Sequence, residues 1–259
     1  MTRKSSKRGS TTAKTDSSEP AQAASRKVAI VTPCRDQVQT EYAMSLARMV
    51  GYHVSNFQDE LGLFSLQGTL IVTQRRDLVL MAKEWGAEWI LWLDSDQSFP
   101  EFTLQRLLSH NEPVVGCNVA RRRMPTGPTA VRLVDTGTGA WRQEKVFTYP
   151  HSEGLEEVDI LGQGVMLTSM EVYDKTDMPW YRLPELPGGR FAGEDYYWCM
   201  ATKDAGYKIL LDHDLSREIG HCGSYTYTHA DVWAEHGAGD ILRPSDFDSQ
   251  LVEPGRSLV

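Results

Sequence analysis

The sequence predicts an α/β fold with a mostly parallel central sheet. Apolar runs of strand length alternate with segments whose apolar residues recur at helical spacing, the order that repeated strand–helix–strand units produce. The apolar runs are β-branched and nearly continuous, as expected of parallel strands covered on both faces. A chain of 259 residues, 41% of them apolar, is long enough to bury the core of one such domain.

The first predicted elements are a strand, a helix and a second strand. KVAIVTP at 27–33 is typical of a buried strand. The next apolar residues recur at helical spacing up to Gly51, where we expect the helix to end. TLIVTQ at 69–74 then predicts the second strand. The residues that give the helical spacing are Tyr42, Leu46, Met49 and Val50.

Two further strand–helix pairs follow. The segment 75–85 predicts a helix that ends at Gly86, and WILWL at 89–93 predicts a buried strand. Pro100 suits the first turn of the next helix, which is followed by a strand in EPVVGCNVA at 112–120.

The second half of the sequence is less regular. Residues 121–154, rich in Arg, Gly, Thr and Pro, predict loops with a hairpin, and VDILGQGVMLTS at 158–169 predicts a strand with a glycine bend. A Pro- and Gly-rich loop at 179–193 is of the kind that carries function or covers a site. EDYYWCMATKDAG predicts a helix that ends at Gly206, and YKILLDHD at 207–214 predicts a strand.

Charge divides the chain unevenly. Residues 1–27 carry seven Lys and Arg against two acidic residues, a net charge of +5, while residues 28–259 carry 20 basic and 33 acidic residues, a net charge of −13. The basic segment has almost no large apolar side chains, so we expect it to be disordered. It suits contact with a polyanion such as DNA, or a solubilising role. We predict one domain over 28–236, followed by a loosely ordered extension at 237–259.

The composition predicts a cytoplasmic protein. No apolar run approaches the length of a membrane span, and the N-terminus lacks the apolar core of a signal peptide. The four cysteines show neither CxxC nor zinc-like spacing, which favours buried structural thiols in a reducing compartment. They are Cys34, Cys117, Cys199 and Cys222.

Three Asp-x-Asp motifs occur, at 94–96, 212–214 and 246–248, so spacing alone does not single one out. Asp94 and Asp96 differ in their setting, because they directly follow a buried strand. Ligands of parallel α/β sheets bind outside the carboxyl ends of the strands, and residues two apart on a strand point the same way. Two carboxylates there suit Mg²⁺ or Mn²⁺, and a solvated acidic turn is the alternative.

Two later features add to this pattern. Glu194 and Asp195 begin a predicted helix, where acidic residues also occur simply because they complement the helix dipole. His221 lies in EIGHCG shortly after a predicted strand, and the neighbouring glycines leave its ring room to reach a ligand. An imidazole beside carboxylates is compatible with Mn²⁺.

In this order the motifs resemble the nucleotide-sugar glycosyltransferases of the GT-A fold, of a family 2-like and bacteriophage type. The resemblance covers residues 27–224 and implies a Rossmann-type three-layer α/β sandwich with a mostly parallel central sheet. Its marks are VAIVTPCRD, TQRRD, LWLDSDQSF, GQGVMLTS, GEDYYW and IGHCG.

The resemblance implies a metal-dependent donor site that binds a UDP- or GDP-sugar. Asp96 would coordinate Mn²⁺ or Mg²⁺, Asp94 would contact the ribose or the metal shell, and His221 would complete the metal site. Arg121 and Arg122 would contact phosphate, or lie on the surface as ordinary arginines. The residues implied in nucleotide-sugar binding are Thr32, Pro33, Arg35, Arg76, Asp77, Asp94, Ser95, Gly162 and Gly164.

The resemblance also implies the chemistry of transfer. The acceptor hydroxyl must lose a proton, and Asp195 is the predicted base in an inverting reaction, with Glu194 orienting the acceptor. The acceptor is either a glycan precursor or a modified DNA base. Trp180 and Tyr181 either stack on a sugar or base, or pack the loop at 179–193.

The absence of certain sequence motifs argues against several other classes of enzyme. VAIVTPCRD lacks the Gly-rich turn of nicotinamide and S-adenosylmethionine enzymes, and no GxxxxGKS or GxxxxGKT motif occurs. Two alternatives stay open. One is a non-catalytic domain of the same fold that binds nucleic acid or a saccharide, and the other is a sugar nucleotidyltransferase.

Overall fold

A computed structural model describes residues 25–137, 141–186, 188–237 and 251–252. The strands are β1 (Lys27–Cys34), β2 (Glu60–Gln67), β3 (Trp89–Leu93), β4 (Gln97–Ser98), β5 (Val114–Gly116), β6 (Val131–Asp135), β7 (Trp141–Lys145), β8 (Leu155–Val158), β9 (Val165–Ser169), β10 (Glu185–Leu186), β11 (Arg190–Phe191), β12 (Ile209–Asp212), β13 (Gly220–His221) and β14 (Leu251–Val252). The helices are α1 (Thr40–Asn56), α2 (Ile71–Trp85), α3 (Thr103–Ser109), α4 (Met170–Lys175), α5 (Glu194–Asp204), α6 (His213–Ser216) and α7 (His229–His236).

A seven-stranded sheet forms the centre of the fold, in the order β2-β1-β3-β9-β5-β12-β8. Strands β2, β1, β3, β5 and β12 run in one direction, while β9 and β8 run in the other. The predicted α/β fold with a mostly parallel central sheet is therefore confirmed.

Helices cover both faces of this sheet, which makes three layers. Successive residues of β3 point to opposite faces: Ile90 and Trp92 join the core under α2, α4 and α5, while Leu91 and Leu93 join the core under α1 and α3. This alternation follows from the two-residue repeat of a strand. It explains why the strands are apolar on both faces.

The order of the strands reverses at β1. The chain adds β2 on one side of β1 and β3 on the other, and both pair with β1 in parallel. A crevice opens at such a reversal beyond the carboxyl ends of the strands, and it is the usual ligand site of open α/β sheets. Asp94, which directly follows β3, lies at this point.

The predicted strand at 69–74 is wrong. The strand that pairs with β1 on this side is β2, which ends at Gln67, and α2 already begins at Ile71. The side chain of Gln74 explains the helical conformation in part: its Nε2 donates to the carbonyls of Cys34 and Leu66, both at 2.6 Å. These bonds tie the first turn of α2 to the ends of β1 and β2, so the β-branched run IVT continues into a helix instead of extending the sheet.

Other boundaries differ by smaller amounts. Helix α1 continues through Gly51 to Asn56, because buried His53 in its last turn bonds Asp59 at 3.0 Å and holds that turn against the start of β2. Helix α2 ends at Gly86 as predicted, and Gly86 adopts a left-handed conformation with φ of 84°. The hairpin predicted within 121–154 is the pair β6 and β7.

Two more predicted elements are shorter than expected. Helix α3 begins at Thr103, after a turn in which the Thr103 N–H donates to the Pro100 carbonyl, so Pro100 precedes the helix. The single strand predicted at 158–169 is two strands, since β8 ends at Val158 and pairs with β12, whereas β9 begins at Val165 and pairs with β3 and β5.

The predicted disordered segment 1–27 and loose extension 237–259 lie almost entirely outside the described residues, as does the Asp246–Asp248 motif. Within the described part, all four cysteines are buried and unpaired, as the sequence predicts. None of the described helices combines the length and the apolar character needed to cross a membrane.

Candidate active site

Asp94 is held at the end of β3 by its backbone and by its side chain. Its N–H donates to the Gly164 carbonyl at 2.9 Å, which continues the pairing of β3 with β9 by one residue. Its side chain reaches the same side of the sheet as Trp92, two residues earlier, and accepts a hydrogen bond from Arg75 of α2. Asp94 therefore faces the layer that contains α2 and α5.

Arg75 joins three elements at this point. Its Nη2 lies 3.1 Å from Asp94 Oδ1, its Nε lies 3.1 Å from Glu194 Oε1 of α5, and its guanidinium stacks 5.3 Å from the ring centroid of Trp92. The side chain is only 3% exposed. Burial opposes its charge, but the two carboxylates outweigh burial and keep the pKa of Arg75 above its ordinary value.

One nitrogen of Arg75 is left over. Nη1 is buried and has no hydrogen-bond partner among the described residues. A guanidinium that is buried for structural reasons normally has all of its N–H groups bonded, because each unmet donor costs free energy. Nη1 is therefore a buried donor that no described residue satisfies.

A short two-stranded sheet brings His221 to Asp96. Strand β13 pairs with β4 so that His221 lies opposite Gln97, and the Cys222 N–H donates to the Asp96 carbonyl at 2.7 Å. A Cβ atom at Gly220 would lie 2.5 Å from Ser98 Oγ, so this glycine allows the two strands to approach. Its role is thus to permit the pairing, rather than to give the imidazole room.

The orientation of His221 constrains its protonation. Its Nδ1 lies 2.8 Å from the Ala120 carbonyl, which can only accept, so Nδ1 carries a hydrogen. In the neutral ring Nε2 then carries a lone pair and can only accept a hydrogen bond. It lies 3.2 Å from Asp96 Oδ2, which is also an acceptor. Two acceptors at this distance require a positive group between them, either a proton on the ring or a bound cation.

The pKa directions agree with this geometry. Burial lowers the pKa of His221, but Asp96 outweighs burial and the net shift is upward. Burial raises the pKa of Asp96, but His221 and Arg122 outweigh it and the net shift is downward. Asp96 is therefore a carboxylate at neutral pH, and the position between Asp96 and His221 favours a positive charge.

Arg122 also contacts Asp96. Its Nη1 lies 2.8 Å from Asp96 Oδ2 and 3.4 Å from the Cys222 carbonyl. About half of the side chain is exposed, at 48%. It borders a polar cavity of about 440 Å³, whose other lining residues are Gln39, Gly223, Ser224 and Tyr227.

Asp195 provides a carboxylate with an unusual pKa at the start of α5. Burial and the neighbouring Glu194 raise the pKa of Asp195 to about 6, although Arg75 opposes them. Its Oδ1 accepts a hydrogen bond from the Tyr196 N–H at 2.7 Å, which fixes the side chain at the helix terminus. A carboxylate with a pKa close to the working pH is suited to accept a proton.

The two predicted donor-site glycines differ in their surroundings. A Cβ atom at Gly164 would lie 3.5 Å from Asp94 Oδ2, so a side chain there would cover the carboxylate. A Cβ atom at Gly162 would instead lie 3.1 Å from Thr129, so Gly162 is adjacent to the segment before β6.

The three predicted metal ligands do not form one donor set. Among the described residues, no three His, Cys, Asp or Glu side chains are close enough together to hold a metal ion. Asp96 and His221 form a pair, whereas Asp94 is bound to Arg75. Asp96 and His221 alone still fit Mn²⁺ or Mg²⁺, provided that water and substrate supply the other ligands. The bond from His221 Nδ1 to the Ala120 carbonyl orients the ring for such a role.

The remaining predicted residues lie in other contacts. Arg76 and Asp77 pair with each other at 2.7 Å and are 43% and 38% exposed. Thr32 is buried in β1 and bonds Tyr42 of α1, and Arg35 is exposed. Pro33 lies in the same strand, and the Ser95 carbonyl accepts from the Gln39 N–H at 2.9 Å, which ties the Asp94–Asp96 turn to α1.

Trp180 and Tyr181 belong to the core. The Trp180 Nε1 donates to the Tyr173 and Thr176 carbonyls, and the Tyr181 hydroxyl bonds the Tyr173 hydroxyl at 3.2 Å. Both side chains are about 95% buried, so the packing alternative applies to this part of the loop at 179–193.

Sequence reasoning did not single out Arg75, although the residue begins the predicted helix at 75–85 and lies three positions before Leu78 on its apolar face. With the helix begun at Ile71, the inward face of α2 comprises Gln74, Arg75, Leu78, Val79 and Ala82, and a cation stands out among these residues. A charge on the apolar face of a helix is the signal that would have identified it.

Comparisons with known proteins reveal similarity only to solved structures. No protein-family model matches the sequence, and no curated protein matches it. The chain is similar to A197 from STIV, with 14% identity and a TM-score of 0.49 over 90% of this chain and 96% of that one. It is also similar to GalNAc-T7, solved with UDP, GalNAc and Mn²⁺, with 9% identity and a TM-score of 0.49. That alignment covers 85% of this chain and 45% of GalNAc-T7, so the chain spans less than half of its length.

Proposed function

We propose that the chain is a glycosyltransferase that transfers a sugar from a nucleoside-diphosphate sugar to an acceptor hydroxyl, with a divalent cation at Asp96 and His221. The observation that carries this proposal is the acceptor pair His221 Nε2 and Asp96 Oδ2, 3.2 Å apart at the carboxyl edge of the sheet. Because Nδ1 donates to the Ala120 carbonyl, a proton on Nε2 or a bound cation must bridge that pair, and we propose that a divalent cation takes this position.

The cation would stabilise the negative charge that develops on the departing diphosphate. Around it, the residues of the chain have separate roles. Arg75 holds Asp94 and Glu194 in place, and its Nη1 has no hydrogen-bond partner among the described residues. Gly164 keeps the approach to Asp94 open, because a side chain there would lie against that carboxylate.

Asp195 is the proposed base. Its pKa of about 6 leaves it mostly ionised at pH 7 while keeping it basic enough to take the proton of the acceptor hydroxyl. Glu194, fixed by Arg75 at 3.1 Å, lies beside it and would orient the acceptor. We therefore expect Asp195→Asn to bind donor normally and to lose transfer.

The acceptor is proposed to be a glycan precursor or a modified DNA base. The folded domain is acidic, with a net charge of −13 over residues 28–259, so a DNA acceptor would depend on the basic residues 1–27. Removal of these residues should then reduce transfer to DNA strongly and transfer to a small saccharide little. Equal activity of the shortened chain on DNA would exclude that role.

The first test is a thermal-shift screen of UDP and GDP with and without Mn²⁺, followed by assays of nucleoside diphosphate release from a panel of nucleotide sugars. We expect a shift that requires both nucleotide and Mn²⁺, and that Asp96→Ala abolishes. Asp174→Asn, a change at an exposed carboxylate that pairs with Lys83, is the matched control.

The outcomes separate the alternatives. Absence of any shift and of any release would contradict the proposal and favour a non-catalytic binding domain. Formation of nucleotide sugar and pyrophosphate from a nucleoside triphosphate and a sugar 1-phosphate would instead identify a nucleotidyltransferase.

A further inference from the structure

Arg122 and His221 face the same oxygen of Asp96. Arg122 Nη1 lies 2.8 Å from Oδ2 and His221 Nε2 lies 3.2 Å from it, while Oδ1 receives only a long contact of 3.4 Å from Gln97. A carboxylate oxygen offers about two lone pairs. Asp96 Oδ2 therefore faces two cationic groups when His221 carries a proton on Nε2, and that proton occupies the position between the ring and the carboxylate.

A divalent cation held by Asp96 and His221 would compete directly with Arg122. The cation would replace the proton between His221 Nε2 and Asp96 Oδ2, and it would lie beside the guanidinium of Arg122, which a divalent ion strongly repels. Arg122 must leave Oδ2 when the cation binds, whereas His221 stays as a ligand.

The surroundings give Arg122 a place to go. About half of its side chain is exposed, and Arg122 is one of the residues that line the polar cavity of about 440 Å³. A Cβ atom at Gly223, another lining residue, would lie 3.1 Å from Arg122 Cδ, so a side chain there would restrict the stem of the arginine. Gln39, Ser224 and Tyr227 supply polar groups around the rest of the cavity.

We propose that Arg122 neutralises Asp96 until a divalent cation takes that carboxylate, and that it then turns into the adjoining cavity and binds the diphosphate of the donor. This inference rests on the proposed function. A guanidinium next to a bound cation is well suited to a diphosphate, because it donates two parallel hydrogen bonds to phosphate oxygens.

The proposal predicts that cation and diphosphate bind cooperatively. The cation alone must displace Arg122 with nothing to receive it, whereas a diphosphate in the cavity stabilises the displaced arginine. Each ligand should therefore raise the affinity for the other by the same factor, on the order of 10-fold.

The test measures Mn²⁺ binding to the full chain from the electron paramagnetic resonance signal of free Mn²⁺. Wild type, Arg122→Gln and Arg123→Gln are compared without nucleotide. Arg123 is the adjacent exposed arginine, so its variant makes the same change in net charge and serves as the matched control. We expect Arg122→Gln to bind Mn²⁺ about 10-fold more tightly than wild type, and Arg123→Gln to change the affinity less than about twofold.

The second measurement is calorimetric binding of UDP, GDP and inorganic pyrophosphate at saturating Mn²⁺. Arg122→Gln should weaken all three by a similar factor of about 10, because the lost contact is to the diphosphate and not to the base. Thermal unfolding of each variant checks that the half-exposed substitution leaves the fold intact.

Each outcome decides the question. An unchanged or weaker Mn²⁺ affinity in Arg122→Gln overturns the proposal, as does an equal gain in Arg123→Gln, which would indicate a general charge effect. If wild type binds Mn²⁺ through Asp96 and Arg122→Gln behaves identically, only this inference fails. If neither wild type nor Arg122→Gln binds Mn²⁺, the proposed function fails and this inference fails with it.

Discussion

Two Asp-x-Asp motifs lie at the carboxyl ends of parallel strands in the same sheet, yet their surroundings differ. Asp94 and Asp96 follow β3, while Asp212 is the last residue of β12 and Asp214 lies in the turn of helix after it. Spacing and position in the fold are alike. The difference lies in how completely each pair of carboxylates is satisfied by the rest of the protein.

The second motif, Asp212 and Asp214, is closed, in the sense that groups of the protein itself bind its carboxylates. Asp212 is fully buried and accepts two hydrogen bonds from Arg106, at 2.6 and 3.0 Å, and one contact from His110 at 2.8 Å. Burial alone would raise the pKa of Asp212, but these partners lower it. Asp214 bonds Arg106 and Arg217, and its pKa is lowered, first by the N–H of Gly154. Every strong donor here comes from the protein, so the motif ties α3 to the sheet.

The first motif, Asp94 and Asp96, is open, in the sense that the described part of the protein does not satisfy all of the charged and polar groups around it. Burial raises the pKa of Asp94 despite the contact with Arg75, and burial with Glu194 raises that of Asp195. The contact between His221 and Asp96 requires a proton on Nε2 or a bound cation, and Arg75 retains an unbonded donor among the described residues. Ionised groups with raised pKa cost folding free energy. The contrast teaches that an acidic motif is a candidate ligand site where the protein leaves it incompletely satisfied.

The largest expected effect separates the two motifs by activity. Asp96→Ala should lower sugar transfer by about 10³-fold, since it removes a proposed cation ligand, while thermal stability stays close to wild type. Asp214→Ala, the corresponding position of the closed motif, should keep transfer within about threefold of wild type once its modest loss of stability is allowed for. Initial rates of nucleoside diphosphate release measure both, and comparable losses would remove the functional distinction.

The next prediction concerns stability, for which we expect the larger effect in the closed motif. Asp212→Asn should lower the free energy of unfolding at pH 7 by about 3 kcal/mol, because it leaves the charge of Arg106 without its buried partner. Asp94→Asn should change stability by less than about 1 kcal/mol, since Arg75 keeps its bond to Glu194. Urea unfolding of the two variants tests this, and a larger loss in Asp94→Asn would contradict it.

The third prediction is a gain of stability at the base. A carboxyl with a folded pKa of about 6 binds protons more readily in the folded than in the unfolded state, where the pKa is 3.8. Its contribution to stability therefore falls as pH rises from about 4 to 6 and stays lost above. Asp195→Asn should raise the free energy of unfolding by about 1–3 kcal/mol at pH 7 and by less than about 1 kcal/mol at pH 4.

Urea unfolding at both pH values supplies the check on Asp195. The closed motif provides the contrast, because the lowered pKa values of Asp212 and Asp214 give stability that is present above pH 3.8 and lost as pH falls through their folded values. An Asp195→Asn variant less stable than wild type at pH 7 would show that the carboxylate is structural.

The sequence identified the open motif but not the reason why it is open. Asp94 and Asp96 were predicted at the carboxyl edge of the sheet because they follow a buried strand, and the resemblance implied that His221 joins them. The structure brings Asp96 and His221 together. The counter-ions were not predictable in this way. Arg106 lies 106 residues before Asp212, and only the packing of α3 on the sheet brings them into contact.

Local patterns also failed where tertiary bonds decide. LIVT at 70–73 has the composition of a strand, but Gln74 bonds the ends of β1 and β2 and α2 begins at Ile71. Arg75 lay in the predicted helix, but its partners Glu194 and Asp94 are 119 and 19 residues away, so the local pattern did not reveal that it links the Asp94–Asp96 motif to α5. Side-chain bonds between distant segments, not propensity, determine both the boundary and the site.

The fourth prediction uses pH to distinguish the base from the rest of the open site. If Asp195 takes the acceptor proton, kcat/KM should rise with pH through a midpoint near 6, so activity at pH 5 should be about 10-fold below that at pH 7. The affinity for the nucleotide must also be measured at each pH, because weaker donor binding at low pH would give a similar profile of activity. A flat profile between pH 5 and 7 would exclude Asp195 as the base.

The smallest expected effect concerns two neighbouring arginines of α2. The sequence predicted Arg76 as a nucleotide contact, but its side chain pairs with Asp77 and is 43% exposed, whereas Arg75 is buried between Asp94 and Glu194. Because exposed pairs contribute little, Arg76→Ala should change stability by less than about 0.5 kcal/mol and the affinity for UDP or GDP by less than about twofold. Arg75→Lys keeps the charge but cannot bridge two carboxylates as a guanidinium does, so it should weaken donor binding more. Calorimetric titration of both variants decides between them, and a stronger loss in Arg76→Ala would restore the sequence-based assignment.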